Sequence, residues 1–482
     1  MSLNIFEQNT SIKKDLTINQ STQVLSGSIW AGNTEDYYSF SFSGRSSLNL
    51  AVDGLYGNVN VQVLNRNGQE LGGSYNRRNR NESLSLTLEA GDYWIKIFRV
   101  RNSNSEYSLK YSTSEIPEPP VLVAQSTGSW LDMTFQDAQM RMHINSAFSD
   151  GVIDRNEMMK ILRTSGDDGV VDATEFKDLK NLVNNASIFG IPEYVRVLAS
   201  KVVNGDVANQ RYQGTNLGNL TPGSSSTQME NLVNKWFLGR DYPTTGFTYK
   251  QASGALFQNG VSYQDVKQGQ INDCFFLVGL AVTATHSPTT IQNMFIDNGD
   301  NTFTVRFFKN QVADYVTVDR YLPVDLSGKF VYASKGSSYD NPTNELWVAL
   351  AEKAYAQLNE SGWIYQDNTN SYSGIGKGGY ISDALSHITG NRISTNVLNL
   401  ESLLNAMKLG QLIGFGSKSS GVVPDIIPSH AYALVSYDSS TQKFTLFNPW
   451  GIESSSKPGK LELSWNQILS NFSYWDATII NT

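Results

Sequence analysis

A thiol is a nucleophile, and this chain of 482 residues has one, Cys274. It lies in the run Lys267-Gln268-Gly269-Gln270-Ile271-Asn272-Asp273-Cys274-Phe275-Phe276-Leu277. Glycine and small polar residues precede it, and an apolar run from Phe275 to Ala284 follows. That pattern predicts a loop entering a buried helix, with Cys274 in the first turn. A helix N-terminus presents partly positive N–H groups, which favour a thiolate and predict a lowered thiol pKa. Gln268, six residues upstream, stands where the loop could fold its amide back beside the sulfur. Read alone, this fragment also suits an inert buried cysteine.

The partners decide between these readings. A thiolate at neutral pH needs an imidazole, and the imidazole needs an orienting group. There are four histidines. His286 follows Cys274 on the same helix, roughly 18 Å along at 1.5 Å per residue, and cannot meet the sulfur. His143 lies in an amphipathic stretch with Met140, Met142 and Ile144, which suits a structural role. His387 precedes Gly390 at the end of a second helix, which suits a surface or capping role. His430 heads Ala431-Tyr432-Ala433-Leu434-Val435, a strand-like run. A second strand, Lys443 to Phe447, ends at Asn448-Pro449-Trp450-Gly451, and the turn residues Asp438 to Thr441 predict a hairpin. Such pairing sets His430 and Asn448 side by side at one end of a sheet. The Asn448 oxygen then accepts the imidazole N–H and fixes its tautomer, while Trp450 covers that bond and excludes water.

The order Cys, His, Asn resembles that of papain-like cysteine proteases, and the local sequences resemble calpains. Gln268-Gly269 through Asp273-Cys274, Ser429-His430-Ala431-Tyr432 and Asn448-Pro449-Trp450-Gly451 are similar to the three calpain catalytic motifs. Asn344-Glu345-Leu346-Trp347 through Ala356 is similar to a fourth segment, and Asp319 to Pro323 and Asp383 to Gly390 extend the likeness. It spans about 229–482. Four positions depart from the pattern: Asn272 and Ser429 stand where the family usually has Gly, Phe275 where it has Trp, and Phe447 where it often has Arg.

The resemblance implies a calpain-like cysteine endopeptidase acting on protein or peptide substrates. Cys274 would attack the peptide carbonyl, His430 would carry the proton, Asn448 would orient His430, and Gln268 with the Cys274 N–H would hold the oxyanion. It also implies calcium ligands at Asp265 and Glu345, since carboxylates suit this cation. The competing reading has Asp265 capping a turn and Glu345 starting the helix that carries Trp347. Two other function classes remain open: a transglutaminase-like acyltransferase of the same superfamily, and a catalytically silent adhesive or scaffolding protein. The Cys274, His430, Asn448 set disfavours both.

Around this core the chain reads as multidomain, too long for one ordinary core. After a tail at 1–14, residues 15–113 alternate short apolar–polar runs with Gly, Asn and Ser turns, which predicts an all-β sandwich. Asp36-Tyr37-Tyr38-Ser39-Phe40, Gly91-Asp92-Tyr93-Trp94 and Tyr107-Ser108-Leu109 make it resemble bacterial pre-peptidase C-terminal domains. The resemblance implies a bacterial secreted-protease accessory that binds substrate or matrix; a passive spacer or cover is the alternative. Arg77, Arg78 and Arg80 form a small basic loop best read as solvated. Pro117, Pro119 and Pro120 mark a linker at 114–128.

Residues 129–204 read as a helical, EF-hand-like region. Asp150-Gly151 with Asp154 and Glu157, and Asp168-Gly169 with Asp172 and Glu175, repeat the second half of a calcium loop. Ser146, Phe148, Thr164 and Gly166 occupy the positions where two carboxylates per loop are expected, so these are weak metal sites. Residues 205–228 read as a flexible Gly/Asn/Ser/Thr linker, and autoproteolysis is expected there or in 114–128. The α+β papain-like core follows at 229–482.

Net charge of −8 argues against a nucleic-acid footprint. No apolar run approaches a membrane span. The start, Met1 to Gln8, has no basic-then-apolar secretory pattern. One cysteine excludes an intramolecular disulfide framework and fits either a cytoplasmic location or export by a non-classical route.

Overall fold

The structure is a computed structural model that describes residues 13–16, 22–42, 44, 46–66, 68, 70–76, 79–88, 91–115, 134–334 and 338–479. Arg77, Arg78, the three linker prolines and nearly all of the N-terminal tail lie outside the described residues. The chain divides into two compact units, Met1–Gln125 and Ser126–Thr482.

The first unit is a β-sandwich, as the alternation predicts. Strands β1 (Lys13–Asp15), β3 (Glu35–Phe42), β5 (Val59–Asn65), β6 (Glu70–Ser74) and β8 (Gly91–Arg99) form one sheet in the order β1-β3-β8-β5-β6. Strands β2 (Gln23–Ile29), β4 (Ser46–Asp53), β7 (Glu82–Leu88) and β9 (Ser105–Glu115) form the other, in the order β2-β9-β4-β7. Period-2 alternation sends Leu48, Leu50 and Val52 of β4 inward to meet Val61, Val63, Ile95 and Ile97. Among the described residues, two carboxylates are buried in this unit: Asp36 accepts from Tyr107 at 2.6 Å, with Tyr107 in turn bonded to Tyr38, and Glu82 accepts from the Asn76 N–H at 2.9 Å.

In the second unit, helices α1 (Ala138–Ala147), α2 (Arg155–Thr164), α3 (Ala173–Asn184), α4 (Glu193–Val203) and α5 (Ser226–Trp236) share one apolar cluster. The loop acids give the EF-like reading no support. Asp154 and Glu157 cap the start of α2 reciprocally, and Asp172 and Glu175 do the same for α3. The Asp-x-x-Glu spacing read as the end of a calcium loop is thus a capping box. The two loops also share α2, and the short strand β10 (Val170–Val171) pairs with β11 (Ser224–Ser225) rather than with the other loop.

The segment 205–228 is not a free linker. Gly205, Gly214, Gly218 and Gly223 adopt positive φ of 91°, 77°, 92° and 91°, so the composition that suggests flexibility is turn chemistry. Ala208 and Leu220 enter the helical core. Asn209, fully buried, accepts from Trp236 Nε1 at 2.7 Å and donates to the Lys201 carbonyl at 2.8 Å.

The helical cluster is continuous with the catalytic core. It packs on β12 (Phe295–Asp297), β13 (Thr302–Lys309) and β14 (Val312–Asp319) through Ile296, Ala313 and Tyr315. Lys201 pairs with Asp314 at 2.6 Å. Lys235 of α5, wholly buried, pairs with Asp241 and Glu360, each at 2.5 Å. The core proper holds α6 (Cys274–His286), α7 (Trp347–Leu358) and α8 (Ile381–Thr389). It also holds a six-stranded antiparallel sheet of β15 (Ile393–Asn396), β16 (Ile413–Ser417), β17 (Ala431–Asp438), β18 (Lys443–Phe447), β19 (Lys460–Ser464) and β20 (Phe472–Thr478), ordered β15-β20-β16-β17-β18-β19.

Along β17, Ala431 and Ala433 face the cluster that contains α6, while Tyr432 and Leu434 face the opposite one. Small residues on the helix side let α6 approach the sheet closely. Residues 275–284 of α6 are buried all round, which explains the unbroken apolar run. Among the described residues no helix is long and apolar enough to cross a membrane.

Candidate active site

Cys274 is the first residue of α6 and half-buried. The loop before it is pinned on both sides. The Gln268 N–H donates to the Pro449 carbonyl at 2.7 Å, and the Gln270 N–H to the Val331 carbonyl at 3.1 Å. Gly269 must be glycine, since a Cβ there would lie 2.4 Å from the Tyr332 backbone. Asn272, in place of the expected Gly, accepts from the Gly378 N–H at 3.1 Å and keeps negative φ. Phe275 packs against Gly379 and edge-on to Tyr355, so the aromatic is retained as packing.

The predicted hairpin forms with Asp438 opposite Lys443 and Ala433 opposite Phe447. It sets His430 just before β17 and Asn448 just after β18. His430 Nε2 lies 3.0 Å from Asn448 Oδ1. The amide is oriented by its other contacts: the Trp450 N–H donates to Oδ1 at 3.1 Å, and Nδ2 donates to the Pro458 carbonyl at 3.3 Å. An acceptor oxygen at Nε2 demands the Nε2–H tautomer and leaves the Nδ1 lone pair free as a base. The Trp450 ring lies edge-on to the imidazole at 5.8 Å between centroids. Ser429 sits at φ 49°, a left-handed conformation a serine adopts only under strain; its N–H is held by the Lys418 carbonyl.

The Ala431 backbone N–H bonds the Cys274 sulfur, which brings the thiol to the residue after His430. The structure thus joins His430 to Asn448 and places the residue after His430 at the thiol. Residues 245–471 match the model of the calpain family cysteine proteases, and residues 34–99 that of the bacterial pre-peptidase C-terminal domain. The chain carries a calpain-like cysteine protease domain behind an N-terminal pre-peptidase C-terminal domain. A calpain-type cysteine protease of Zea mays, DEK1, is 31% identical over 220 residues, covering 41% of this chain. Calpain clp-4 of Caenorhabditis elegans is 28% identical over 226 residues, covering 42% of this chain. The aligned region spans 9% of the maize protein and 29% of the nematode one.

The electrostatics of the calpain-like site correct one expectation. Burial pushes the Cys274 thiol up to about 11, outweighing the N–H groups of Ala431, Phe275 and Cys274 itself, and the Asp273 carboxyl pushes the same way. Burial also holds His430 down, to about 4. Desolvation outweighs the helix terminus and favours the neutral form of each group.

Gln268 also differs from its expected role. Its Nε2 donates to the Ile271 carbonyl at 2.7 Å and to Asp273 Oδ1 at 3.4 Å, so both amide hydrogens are engaged within the loop. The second bond is long, and it is the one an oxyanion would displace.

Asp265 and Glu345 are both buried. Asp265 closes a capping box with Ser262 and accepts from Trp347 Nε1 at 3.2 Å. Glu345 Oε1 accepts from the Gln258 N–H at 2.8 Å. The two acids clamp the 255–265 segment to the start of α7, and their oxygens are of the type calcium takes. Both already accept from protein donors. Of the loop acids, Asp150 and Asp168 cap the N–H groups of Val152 and Val170, while burial pushes Glu175 up to about 7. Among the described residues no three His, Cys, Asp or Glu side chains converge on a metal position.

Of the remaining histidines, His387 is buried rather than superficial: Nδ1 bonds Tyr355 at 2.9 Å and the Trp363 ring meets it edge-on. His286 bonds the Leu434 carbonyl at 2.9 Å, far along α6 from the sulfur. Sequence reasoning missed one buried acid at the site, Glu352. Its signal is a charged residue flanked by Leu350, Ala351 and Ala354 on a helix that is buried from end to end.

Proposed function

We propose that this chain is a cysteine endopeptidase that cleaves peptide bonds with Cys274, His430 and Asn448. Two observations support the reading: the Ala431 N–H lies at the Cys274 sulfur, and the imidazole of the preceding residue, His430, has its Nε2 held by Asn448 at 3.0 Å. Substrate binding displaces water from this covered site. His430 Nδ1 takes the thiol proton as sulfur attacks the carbonyl, and returns it to the leaving amine. The Cys274 N–H at the start of α6 faces the developing oxyanion, with Gln268 joining when its hydrogen leaves Asp273. Water then hydrolyses the thioester with His430 as base.

Two finer readings belong with this one. Asp265 and Glu345 would hold calcium, whose charge would neutralise the paired acids and tighten the 255–265 segment that leads to the cysteine loop. Autoprocessing would fall in 114–128, between the two compact units, since 205–228 is folded into the helical region. Casein cleavage by wild type and Cys274→Ala, each in calcium and in chelator, tests the set. Loss with Cys274→Ala supports the peptidase; equal cleavage by both proteins overturns it. Full activity in excess chelator overturns the calcium reading alone.

A further inference from the structure

Behind the nucleophile lies a pair of acids that the mechanism above does not use. Asp273, at the start of α6, and Glu352, mid-way along α7, are both wholly buried and in contact. Each has one oxygen accounted for. Asp273 Oδ1 accepts from Gln268 Nε2, and Glu352 Oε2 accepts from the Ala333 N–H at 2.9 Å. Asp273 Oδ2 and Glu352 Oε1 are buried with no donor within reach. Two bare carboxylates in contact and out of water would each lose hydration and repel the other. One proton between the two vacant oxygens removes both defects.

We propose that Glu352 keeps its proton and donates it to Asp273, and that this acid pair is the positioning element that holds Gln268 beside Cys274. The proposal rests on the peptidase reading for its catalytic consequence, but not for the proton itself. Asp273 remains the charged partner. It sits at the positive end of α6, which favours its charge, and it draws one amide hydrogen of Gln268. Ala333 belongs to the segment that also cradles the cysteine loop, where the Ser334 N–H bonds the Lys267 carbonyl. Glu352 thus ties α7, the 331–334 segment and the start of α6 into one unit. The direction of the acid shifts agrees. Burial pushes Asp273 up to about 7, and burial with the Asp273 charge pushes Glu352 well above the carboxylate range. The titratable groups facing the pair are Cys274, Tyr355, Tyr332 and Tyr372, none of them a cation.

The sign of the pH effect follows. The native pair holds a proton that the unfolded chain has released by neutral pH, so folding takes up a proton. Stability therefore falls as pH rises from the ordinary carboxylate range through the pair's raised values. Loss of the shared proton would also set Asp273 against Glu352 and displace the Gln268 loop.

The test uses the full-length protein with Glu352→Gln and Glu352→Leu. Glutamine is the same shape; its oxygen can accept from the Ala333 N–H and its amide can donate permanently to Asp273. Leucine leaves both without a partner. Three quantities are measured across pH: kcat and KM on a peptide substrate, the rate of Cys274 alkylation by iodoacetamide, and Tm. Alkylation needs the thiol but no oxyanion donor. Glu352→Gln is expected to keep kcat within roughly 3-fold at about pH 6. It should lack the wild-type loss at high pH and show a flatter fall of Tm between about pH 5 and pH 8. Glu352→Leu is expected to lower kcat roughly 100-fold, the scale of one oxyanion donor, with KM and alkylation little changed. Wild type and Glu352→Gln giving superimposable kcat and Tm profiles would overturn the proposal. So would Glu352→Leu with full kcat. Should the leucine variant not fold, the glutamine comparison decides alone. Failure of the peptidase reading is told apart by Cys274→Ala cleaving as wild type does, a result that leaves the Tm comparison intact.

Discussion

Replacing Asn448 should separate orientation from charge at the imidazole. Asn448 is wholly buried, and its side chain makes three bonds: Oδ1 accepts from His430 Nε2 and from the Trp450 N–H, and Nδ2 donates to the Pro458 carbonyl. Asn448→Ala removes the acceptor that fixes the Nε2–H tautomer and leaves two backbone groups unpaired. A buried polar group stripped of its partner costs about 1–3 kcal/mol, so if that loss falls on the transition state, kcat/KM drops roughly 5- to 150-fold. Asn448→Asp keeps the shape and adds a carboxylate beside an imidazole that burial holds at about 4. An anion favours imidazolium, by roughly 1–3 pKa units at contact distance.

The competent form of the pair carries one proton, shared by sulfur and Nδ1, and is bounded by two macroscopic ionisations. The aspartate raises both, so the whole bell-shaped profile of kcat/KM slides to higher pH, while alanine lowers the plateau without that slide. The assay is hydrolysis of a fluorogenic peptide from about pH 4 to pH 10 with each variant. A profile for Asn448→Asp that coincides with wild type would show that residue 448 does not govern the imidazole, and the catalytic assignment of Asn448 would fall.

Other outcomes follow from the same geometry. Lys235→Met strands Asp241 and Glu360 without their cation; it should destabilise the second unit by about 3–5 kcal/mol, seen as lower Tm and faster trypsin cutting within 205–228, and unchanged Tm would refute the folded-linker account. Ser429→Gly relieves the left-handed strain at φ 49° and should stabilise by about 1 kcal/mol, measured by urea melts, with activity retained. Glu345→Gln should raise the calcium needed for half-maximal activity more than Glu175→Gln does, because Glu175 caps α3; equal effects in a calcium titration would remove the core from calcium control.

The candidate set could be picked out because each member is marked by local pattern. Cys274 stands at a polar-to-apolar boundary, and His430 and Asn448 flank two alternating strands joined by a turn, so sequence spacing alone implies their pairing. The β-sandwich was legible for the same reason, through period-2 alternation that survives in β4 and β8. What escaped lies in contacts between distant segments. Asp-x-x-Glu describes both a capping box and the end of a calcium loop, and only the bonds from Glu157 and Glu175 back to the Asp154 and Asp172 N–H groups distinguish them. Gly and Asn at 205–228 read as slack, yet their positive φ values and the Asn209–Trp236 bond make them tight turns.

The thiol pKa carries the sharpest lesson. A helix N-terminus was expected to lower it, but that effect amounts to about 0.3–1 kcal/mol at exposed positions, and desolvation of a mostly buried sulfur exceeds it. Sequence reveals the helix end and not the depth of the pocket above it. Ala431, whose N–H reaches the sulfur, lies 157 residues along the chain from Cys274. A neutral resting pair has a functional consequence: the nucleophile is quiet until substrate arrives. Alkylation of Cys274 by small reagents should therefore be slow at neutral pH and quicken toward the thiol's raised value, whereas a pre-formed thiolate would react at a rate flat above about pH 5. A flat profile would mean that His430 already holds the proton in the free protein, and that the ion pair outweighs the burial of both groups.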